Sequence, residues 1–385
     1  MEYFLTEEQK MIVDLARQIA QEKIKPVAAH YDETGEFPWD IMKILADADL
    51  CGVYIDEKYG GLGGGIFEMS LVTEELSKVC GGIAICFAAT ALGTFPIILF
   101  GSEEQKMKFL PDIASGKKLA AFGLTEPNSG SDASSIQTTA KKEGDYYILN
   151  GTKQWITNGG EAETYTVIAM TNKSRGARGA TAFILDKGMP GFTFGKKENK
   201  LGIRASATRE LIFTDCKVPA DRVLGKEGMG FIAAMKTFDA SRPGVAAQAL
   251  GIAAGALEEA VKYSRQRMQF GKPISSLQAI QHMLADMATQ TEAARALVYS
   301  VARMIDGGAK DVAKDSAMAK LFASDTAMKV TIDAIQVMGG YGYMKEYPVE
   351  KMMRDAKITQ IYEGTNQIMR NVIGLQLIKE AAKGK

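Results

Sequence analysis

Between residues 119 and 223 the apolar pattern of this chain abandons the helical period, and no other feature limits the possible folds as much. Tyr146-Tyr147-Ile148-Leu149, Tyr165-Thr166-Val167-Ile168-Ala169, Thr181-Ala182-Phe183-Ile184-Leu185 and Glu210-Leu211-Ile212-Phe213 are short, branched or aromatic runs parted by Gly, Asn, Asp and Lys. They predict a small β domain of the barrel or sandwich kind. On either side the pattern is helical. Thr6 and Gln9 form a capping box, and Met11, Ile12, Leu15, Ala16, Ile19 and Ala20 then recur at helical spacing. Pro38 is placed to start a second helix, residues 66–79 and 83–100 read as two more, and Ser102 with Gln105 opens a short one ending near Pro111. From residue 228 helix returns, with breaks at Gly271-Lys272-Pro273, Gly307-Gly308, Gly339-Gly340-Tyr341-Gly342-Tyr343 and around Glu363, predicting a bundle of four long helices. The fold class is therefore α+β, with a helical domain over 1–118, a β domain over 119–227 and a helical bundle over 228–385. Clefts between such domains commonly house cofactors.

Charge and composition narrow the chemistry. The formal charge is zero and no basic tail is present, so neither nucleic acid nor an anionic membrane is an expected partner. Residues 83–100 are apolar enough to raise the question of a membrane span. Gly93, Thr94, Pro96 and the charged helix that follows make them a buried helix wall instead, and no membrane span is expected. The opening residues lack the basic start and apolar run of a signal peptide. Four widely separated cysteines, Cys51, Cys80, Cys86 and Cys216, form no metal pattern and are expected reduced in a cytoplasmic setting. Two histidines, His30 and His282, exclude a histidine-based metal site, and no metal is expected. Carboxylates, hydroxyls, backbone amides or an organic cofactor must do the work.

Several polar clusters are candidates. In Ile361-Tyr362-Glu363-Gly364-Thr365-Asn366-Gln367-Ile368 a carboxylate stands between an aromatic ring and a glycine. It reads either as a helix end capped by Thr365 or Asn366, or as a general base of raised pKa. Leu124-Thr125-Glu126-Pro127-Asn128-Ser129-Gly130-Ser131-Asp132 and Trp155-Ile156-Thr157-Asn158-Gly159-Gly160 combine hydroxyls with glycines. They suit a phosphate or a polar ring edge, or else are hairpin turns. Trp155 reads equally as a stacking surface and as a core residue. Arg265-Gln266-Arg267-Met268-Gln269-Phe270-Gly271 sets cations at a helix end, where they answer the helix dipole or bind phosphate. Lys58-Tyr59-Gly60-Gly61-Leu62-Gly63-Gly64-Gly65 lacks the pattern of a phosphate loop and reads as a conformational link.

Seven stretches, taken in order, resemble the FAD-dependent, electron-transfer-flavoprotein-linked acyl-CoA dehydrogenase family from residue 5 to about residue 378. They are Tyr59-Gly60-Gly61, Leu124-Thr125-Glu126-Pro127 through Gly130-Ser131-Asp132, Trp155-Ile156-Thr157-Asn158-Gly159, Arg267 through Phe270-Gly271-Lys272, Gln336 with Gly339-Gly340, Met353-Arg354-Asp355-Ala356, and Tyr362-Glu363-Gly364-Thr365. The resemblance implies an N-terminal helical domain, a middle β domain and a C-terminal four-helix domain, assembled as a homotetramer. It implies that Leu124, Thr125, Gly130, Trp155 and Thr157 meet the flavin of FAD, with Ser131 towards the flavin phosphates or the acyl-CoA. Arg267, Gln269, Phe270, Gln336, Gly339, Gly340, Thr365 and Gln367 would match contacts to the ADP half, some of them from a neighbouring subunit.

On the same resemblance Glu363 is the base that takes the α-proton of an acyl-CoA thioester while the β-hydrogen leaves as hydride to the flavin. The Glu363 N–H would polarise the thioester carbonyl, and Gly364 would keep that loop close to the substrate. Phe238, Asp239, Arg242 and Tyr362 would lie around the substrate, Arg242 positioning either the Glu363 loop or the thioester end of CoA. Ser241 occupies the place where one branch of the family carries its base, so Glu363 is expected to act alone. No charge occurs in Ile85-Cys86-Phe87-Ala88-Ala89-Thr90-Ala91-Leu92-Gly93, which disfavours a dicarboxylyl substrate. Phe87 is expected to shorten the acyl cavity in favour of a short, medium or cyclic group. Electrons would pass to an electron-transferring flavoprotein. The alternatives are the same fold working as an enoyl-CoA reductase, an acyl-CoA oxidase, or a non-catalytic flavin-binding scaffold. The oxidase is disfavoured because peroxisomal oxidases of the family are much longer and residues 379–385 hold no peroxisomal tripeptide.

Overall fold

The structure, a computed structural model, describes residues 3–384. Its first part is helical: α1 (Glu7–Ile19), α2 (Ala28–Thr34), α3 (Trp39–Asp47), α4 (Ile66–Ser77), α5 (Gly81–Phe100) and α6 (Glu103–Ala114). The capping box at Thr6 forms, with Gln9 N donating to Thr6 Oγ1 at 3.2 Å and Thr6 N donating to Gln9 Oε1 at 3.0 Å. Ser102 and Gln105 repeat it at α6. Pro38 is the N-cap of α3, but α2, closed by left-handed Gly35, precedes it and escaped the pattern. Helix α6 runs through Pro111 to Ala114. Although α5 is long and apolar enough to cross a membrane, most of it is buried within the protein.

The middle part comprises β1 (Ala120–Gly123), β2 (Thr139–Glu143), β3 (Tyr146–Thr157), β4 (Thr164–Met170), β5 (Ala180–Asp186), β6 (Phe192–Phe194), β7 (Thr208–Pro219) and β8 (Val223–Leu224). They form one sheet in the order β6-β7-β3-β2-β4-β5-β8, with β1 parallel to β4. The long pair β3–β7 is antiparallel and shifts register twice, the second time between Lys153 and Ile156. A bulge there re-aims the strand. Trp155 consequently sits inside a strand and not in a hairpin turn.

Beyond lie α7 (Gly230–Gln266), the hairpin β9 (Met268–Gln269) and β10 (Lys272–Pro273), α8 (Gln278–Asp306), α9 (Ala313–Met338), α10 (Val349–Thr359) and α11 (Asn366–Ala382). Three helices are long, at 37, 29 and 26 residues, while α10 and α11 are shorter than the pattern predicts. The 37-residue α7 is the axis. A Cβ added at Gly251 would lie 2.3 Å from the Glu74 carbonyl oxygen, and one at Gly255 would lie 2.0 Å from that of Lys78, so only glycines let α7 cross α4 this closely. Pro243 lies inside α7 and cannot donate to the Asp239 carbonyl; Ser316 Oγ on α9 donates to that oxygen instead, at 2.8 Å.

Polar ties lock the three parts together. Asp306, at the end of α8, accepts the N–H groups of Ile66 and Phe67 at 2.8 Å each, capping α4 from another part of the chain. On α10, Arg354 pairs with Asp32 of α2 at 2.6 Å, and Asp355 accepts the N–H of Ile203 beside the sheet at 2.5 Å. The Met353-Arg354-Asp355-Ala356 motif is thus a strut between domains.

Within the sheet domain, the fully buried Lys153 donates to Glu126 Oε1 at 2.7 Å and to the Leu124 carbonyl at 3.0 Å. Glu126 also accepts the N–H groups of Gln137 and Thr138, so one buried pair strings together residues 124–138. Removing only the cation leaves a buried carboxylate uncompensated, and Lys153→Met is expected to cost about 3–5 kcal/mol of stability. A clear fall in the thermal unfolding midpoint, partly recovered in the E126Q/K153M double variant, is the expected outcome.

Candidate active site

The site is where α5, α7, the β1 and β3 ends and the turn between α10 and α11 converge. Glu363 lies in that turn with φ 52°, a left-handed conformation costly for a residue with a side chain. Gly364 follows at φ 95°, where an added Cβ would meet Met369 Cε at 2.4 Å. Thr365 then caps α11, its Oγ1 accepting Ile368 N at 3.2 Å. The cluster is therefore a helix cap as well as a candidate base. The two readings coexist.

Glu363 Oε2 accepts a hydrogen bond from Ser241 Oγ at 2.6 Å, and Arg242 Nε donates to the Glu363 carbonyl at 3.3 Å. Lys320 Nζ on α9 donates to the Gly364 carbonyl at 2.6 Å and to Asn366 Oδ1 at 2.9 Å. Tyr362 donates from its hydroxyl to Gln248 Oε1, which holds its ring beside α7. No acceptor among the described residues takes the Glu363 N–H. Burial pushes the Glu363 carboxyl up to about 7, against the opposing pull of Ser241, Arg242 and Lys320. A carboxyl with that balance is suited to moving a proton near neutrality.

Beside Glu363 opens a cavity of about 110 Å³. Its wall is Met69, Ile85, Ala88, Ala89, Leu92, Phe122, Leu124, Phe238, Gly244 and Val245, with Thr125, Trp155, Ile156, Thr157, Ser241 and Tyr362 completing it. Glu363 is the one charged residue in that lining. Phe87 does not line it. Ile85, Ala88, Ala89 and Leu92 share one face of α5 at helical spacing, while Phe87 points to the other and packs edge-on against Tyr54 at 6.2 Å. Asp239 also stands away from the cavity, because its carboxylate is drawn to Arg242 at 3.4 Å and Lys236 at 3.7 Å. Arg242 acts on the loop's backbone and lies over the Phe238 ring at 5.9 Å.

A wider cleft of about 570 Å³ continues from the same residues. Thr125, Gly130, Ser131, Trp155 and Thr157 line one side, and Ile361, Tyr362, Glu363, Gly364 and Thr365 the other. Trp155 is 58% exposed there at φ 56°, so the bulge presents an indole face that the chain itself leaves open. Threonine hydroxyls flank it. This donor set fits a planar heteroaromatic ring with carbonyl and N–H edges, and with it the flavin of FAD. Arg267, Gln269, Gly339 and Gly340 gather in a separate cleft of about 500 Å³. Phe270, Gln336 and Gln367 line neither cleft and are exposed. Sequence reasoning missed Met69, Gly244, Val245 and Lys320. For Lys320 a signal existed: it shares the buried face of α9 with Ser316, Ala323 and Ala327.

The chain matches the acyl-CoA dehydrogenase N-terminal domain over residues 6–117, the middle domain over 121–216 and the C-terminal domain over 228–378. It is 52% identical to butyryl-CoA dehydrogenase from Megasphaera elsdenii, whose structure superposes with a TM-score of 0.96 over 98% of this chain and 100% of that one. A structure reported for the electron transferring flavoprotein of Acidaminococcus fermentans and flavin-based electron bifurcation shows 54% identity and a TM-score of 0.96, over 98% of this chain and 99% of that chain. Acryloyl-CoA reductase (NADH) from Anaerotignum propionicum is 48% identical over 98% of this chain and 96% of its own.

Two measurements test the electrostatics. Ser241→Ala removes a hydrogen bond that favours the charged form, so the Glu363 midpoint is expected to move above about 7, by roughly one unit. Isotope-edited infrared titration against an E363Q blank reads it. The folded carboxyl also keeps its proton to about pH 7, whereas an ordinary one loses it near 4.5. Across that interval the folded state binds more protons than the unfolded state, so stability falls as pH rises. E363Q is expected to flatten that slope in unfolding midpoints taken over the interval.

Proposed function

The chain belongs to the acyl-CoA dehydrogenase family, and on that premise we propose that it desaturates a short, straight-chain acyl-CoA between Cα and Cβ. The observation that carries this reading is the juxtaposition of a largely desolvated carboxyl, an open indole face and a small apolar cavity. Glu363 takes the α-proton. Its burial makes the carboxylate a stronger base than a solvated one, and its free N–H is available to a thioester oxygen gathering negative charge. Bound FAD supplies the acceptor for the β-hydrogen and its electron pair. Thr125, Gly130, Ser131, Trp155 and Thr157 would hold its flavin half. Losing one donor to a developing oxyanion costs about 3 kcal/mol in comparable sites, which is the scale expected of the Glu363 N–H.

Chain length follows from the cavity. An apolar space of about 150 Å³ admits benzene, and the 110 Å³ beside Glu363 is smaller. Its wall offers no cation to a second carboxylate, so butyryl-CoA suits it better than octanoyl-CoA or glutaryl-CoA. The Megasphaera elsdenii relative supports the same size.

Electron-transferring flavoprotein is the partner this reading assigns, supported by the Acidaminococcus fermentans likeness. A homotetramer belongs to the same proposal. The Arg267 set and the Trp155 set line separate clefts, and a neighbouring copy that brought its Arg267 set to the Trp155 cleft would let one extended cofactor touch both. Phe270 at 89% exposure and Leu375, Leu377 and Ile378 on α11 offer apolar surface for such contacts. A cytoplasmic setting is supported by four buried free cysteines.

The reductase direction is the second reading, favoured by the Anaerotignum propionicum relative. A carboxyl with its midpoint at about 7 can return a proton to Cα as readily as it removes one. The physiological direction then rests on the redox partner.

Anaerobic bleaching of the FAD-loaded protein is expected to be fast with butyryl-CoA and slower with octanoyl-CoA and glutaryl-CoA. E363Q should keep FAD and substrate binding while bleaching at least 10²–10⁴-fold more slowly (roughly the worth of a general base); near-normal bleaching would move the base elsewhere. Trp155→Ala is expected to weaken FAD retention or shift the flavin spectrum. If the reduced enzyme is rapidly reoxidised by crotonyl-CoA, the reductase direction is open to it.

A further inference from the structure

Lys320 is a buried amine that the chemistry proposed above does not use. Its side chain is fully buried, yet no carboxylate lies within ion-pairing distance of it among the described residues. Its ammonium group is spent on two oxygens of one segment, the Gly364 carbonyl at 2.6 Å and Asn366 Oδ1 at 2.9 Å. Asn366 is fixed in turn, donating to Ser324 Oγ at 2.9 Å and Asp325 Oδ1 at 2.7 Å. Gly364 follows Glu363 directly, and both residues are left-handed. The two consecutive carbonyls of that turn are each held by a cation, Glu363 by Arg242 and Gly364 by Lys320.

Placing an ammonium group in a dry interior is costly, and a neutral donor would satisfy one carbonyl at much lower cost. Burial pulls the Lys320 amine down to about 7 while Glu363 pulls it back up, so the charge it carries is coupled to that of Glu363. The acid facing it across the turn is Glu363. The other charged groups around the pair are Arg242 and Asp239 from α7, Asp325 on α9 itself, and Arg370 from α11, which Asp325 already engages at 3.0 Å. Gln360 after α10, Ser241 on α7 and Asn366 on α11 are neutral. Arg242 shares its charge with Asp239, whereas Lys320 has no such partner.

We propose that Lys320 is a positioning residue for the reaction, holding the Gly364 carbonyl so that Glu363 keeps its left-handed turn and biasing Glu363 towards the carboxylate form that accepts the proton. Lys320 touches neither substrate nor cofactor in this account, which rests on Glu363 being the base. The cation stabilises the carboxylate before transfer and loses that interaction once Glu363 is protonated, so its removal should make the base retain its proton to higher pH.

Lys320→Met and Lys320→Gln separate the two roles, since Gln keeps a donor without the charge. In FAD-loaded K320M, butyryl-CoA bleaching is expected to slow roughly 10–100-fold at pH 7, with half-saturation little changed, as for a misplaced proton acceptor. The pH midpoint of the rate should move alkaline by about one unit, a tenfold change in the proton equilibrium. K320Q should recover part of the rate and keep the displaced midpoint. Infrared titration of Glu363 without substrate reads the same displacement independently of turnover, so a wild type that never bleaches counts against the dehydrogenase reading while leaving Lys320 testable. Rate and midpoint unchanged in folded K320M would overturn the proposal. Should K320M not load FAD, K320Q decides it: an unmoved infrared midpoint there overturns it equally.

Discussion

Keeping one carboxyl out of water while leaving it room to ionise is the constraint on which the rest of this structure depends. A direct ion pair to Glu363 would hold it charged and weaken it as a base, while complete isolation would keep it protonated. The structure avoids both. Among the described residues only Ser241 bonds the carboxylate, and the two cations that act on it, Arg242 and Lys320, are turned onto the backbone carbonyls of the same turn. Their field reaches the carboxylate at one remove, and burial outweighs it, leaving the group poised at about 7.

That arrangement needs several elements to agree in position, which explains features otherwise odd in a helical protein. Pro243 stands inside α7 one residue after Arg242, and Ser316 from α9 takes up the carbonyl it leaves free. Glycines at 251 and 255 bring α4 against α7, and α4 with α5 supplies the apolar wall of the acyl cavity. Helix α10 is anchored by Asp32 and Ile203 through Arg354 and Asp355, and it leads straight into the Glu363 turn. The strain at Glu363 and Trp155 is concentrated where the chemistry is, and packing elsewhere sustains it.

Much of the organisation was legible because it is local. Capping boxes at Thr6 and Ser102, the change of period near residue 119 and the glycine breaks after α7 and α9 all follow from neighbours in sequence. Glu363 and Trp155 also announced themselves, as an acid between apolar residues and an aromatic in a polar run. Two expectations fail. Phe87 was expected in the acyl cavity because the family resemblance sets its helix against the acyl group, but one helical step turns it towards Tyr54. Asp239 was expected near substrate, yet its charge is captured by Arg242 and Lys236.

The sequence by itself determined the order and kind of the elements, the family to which they belong and the residues able to carry proton transfer, because periodicity and residue chemistry are written along the chain. The tertiary structure alone decided which of those residues meet. Lys320 lies 43 positions from Glu363, and only the packing of α9 beneath the turn before α11 brings its charge to the Gly364 carbonyl. Burial is likewise a property of the assembled fold. It is burial that turns an ordinary glutamate into a base working near neutral pH.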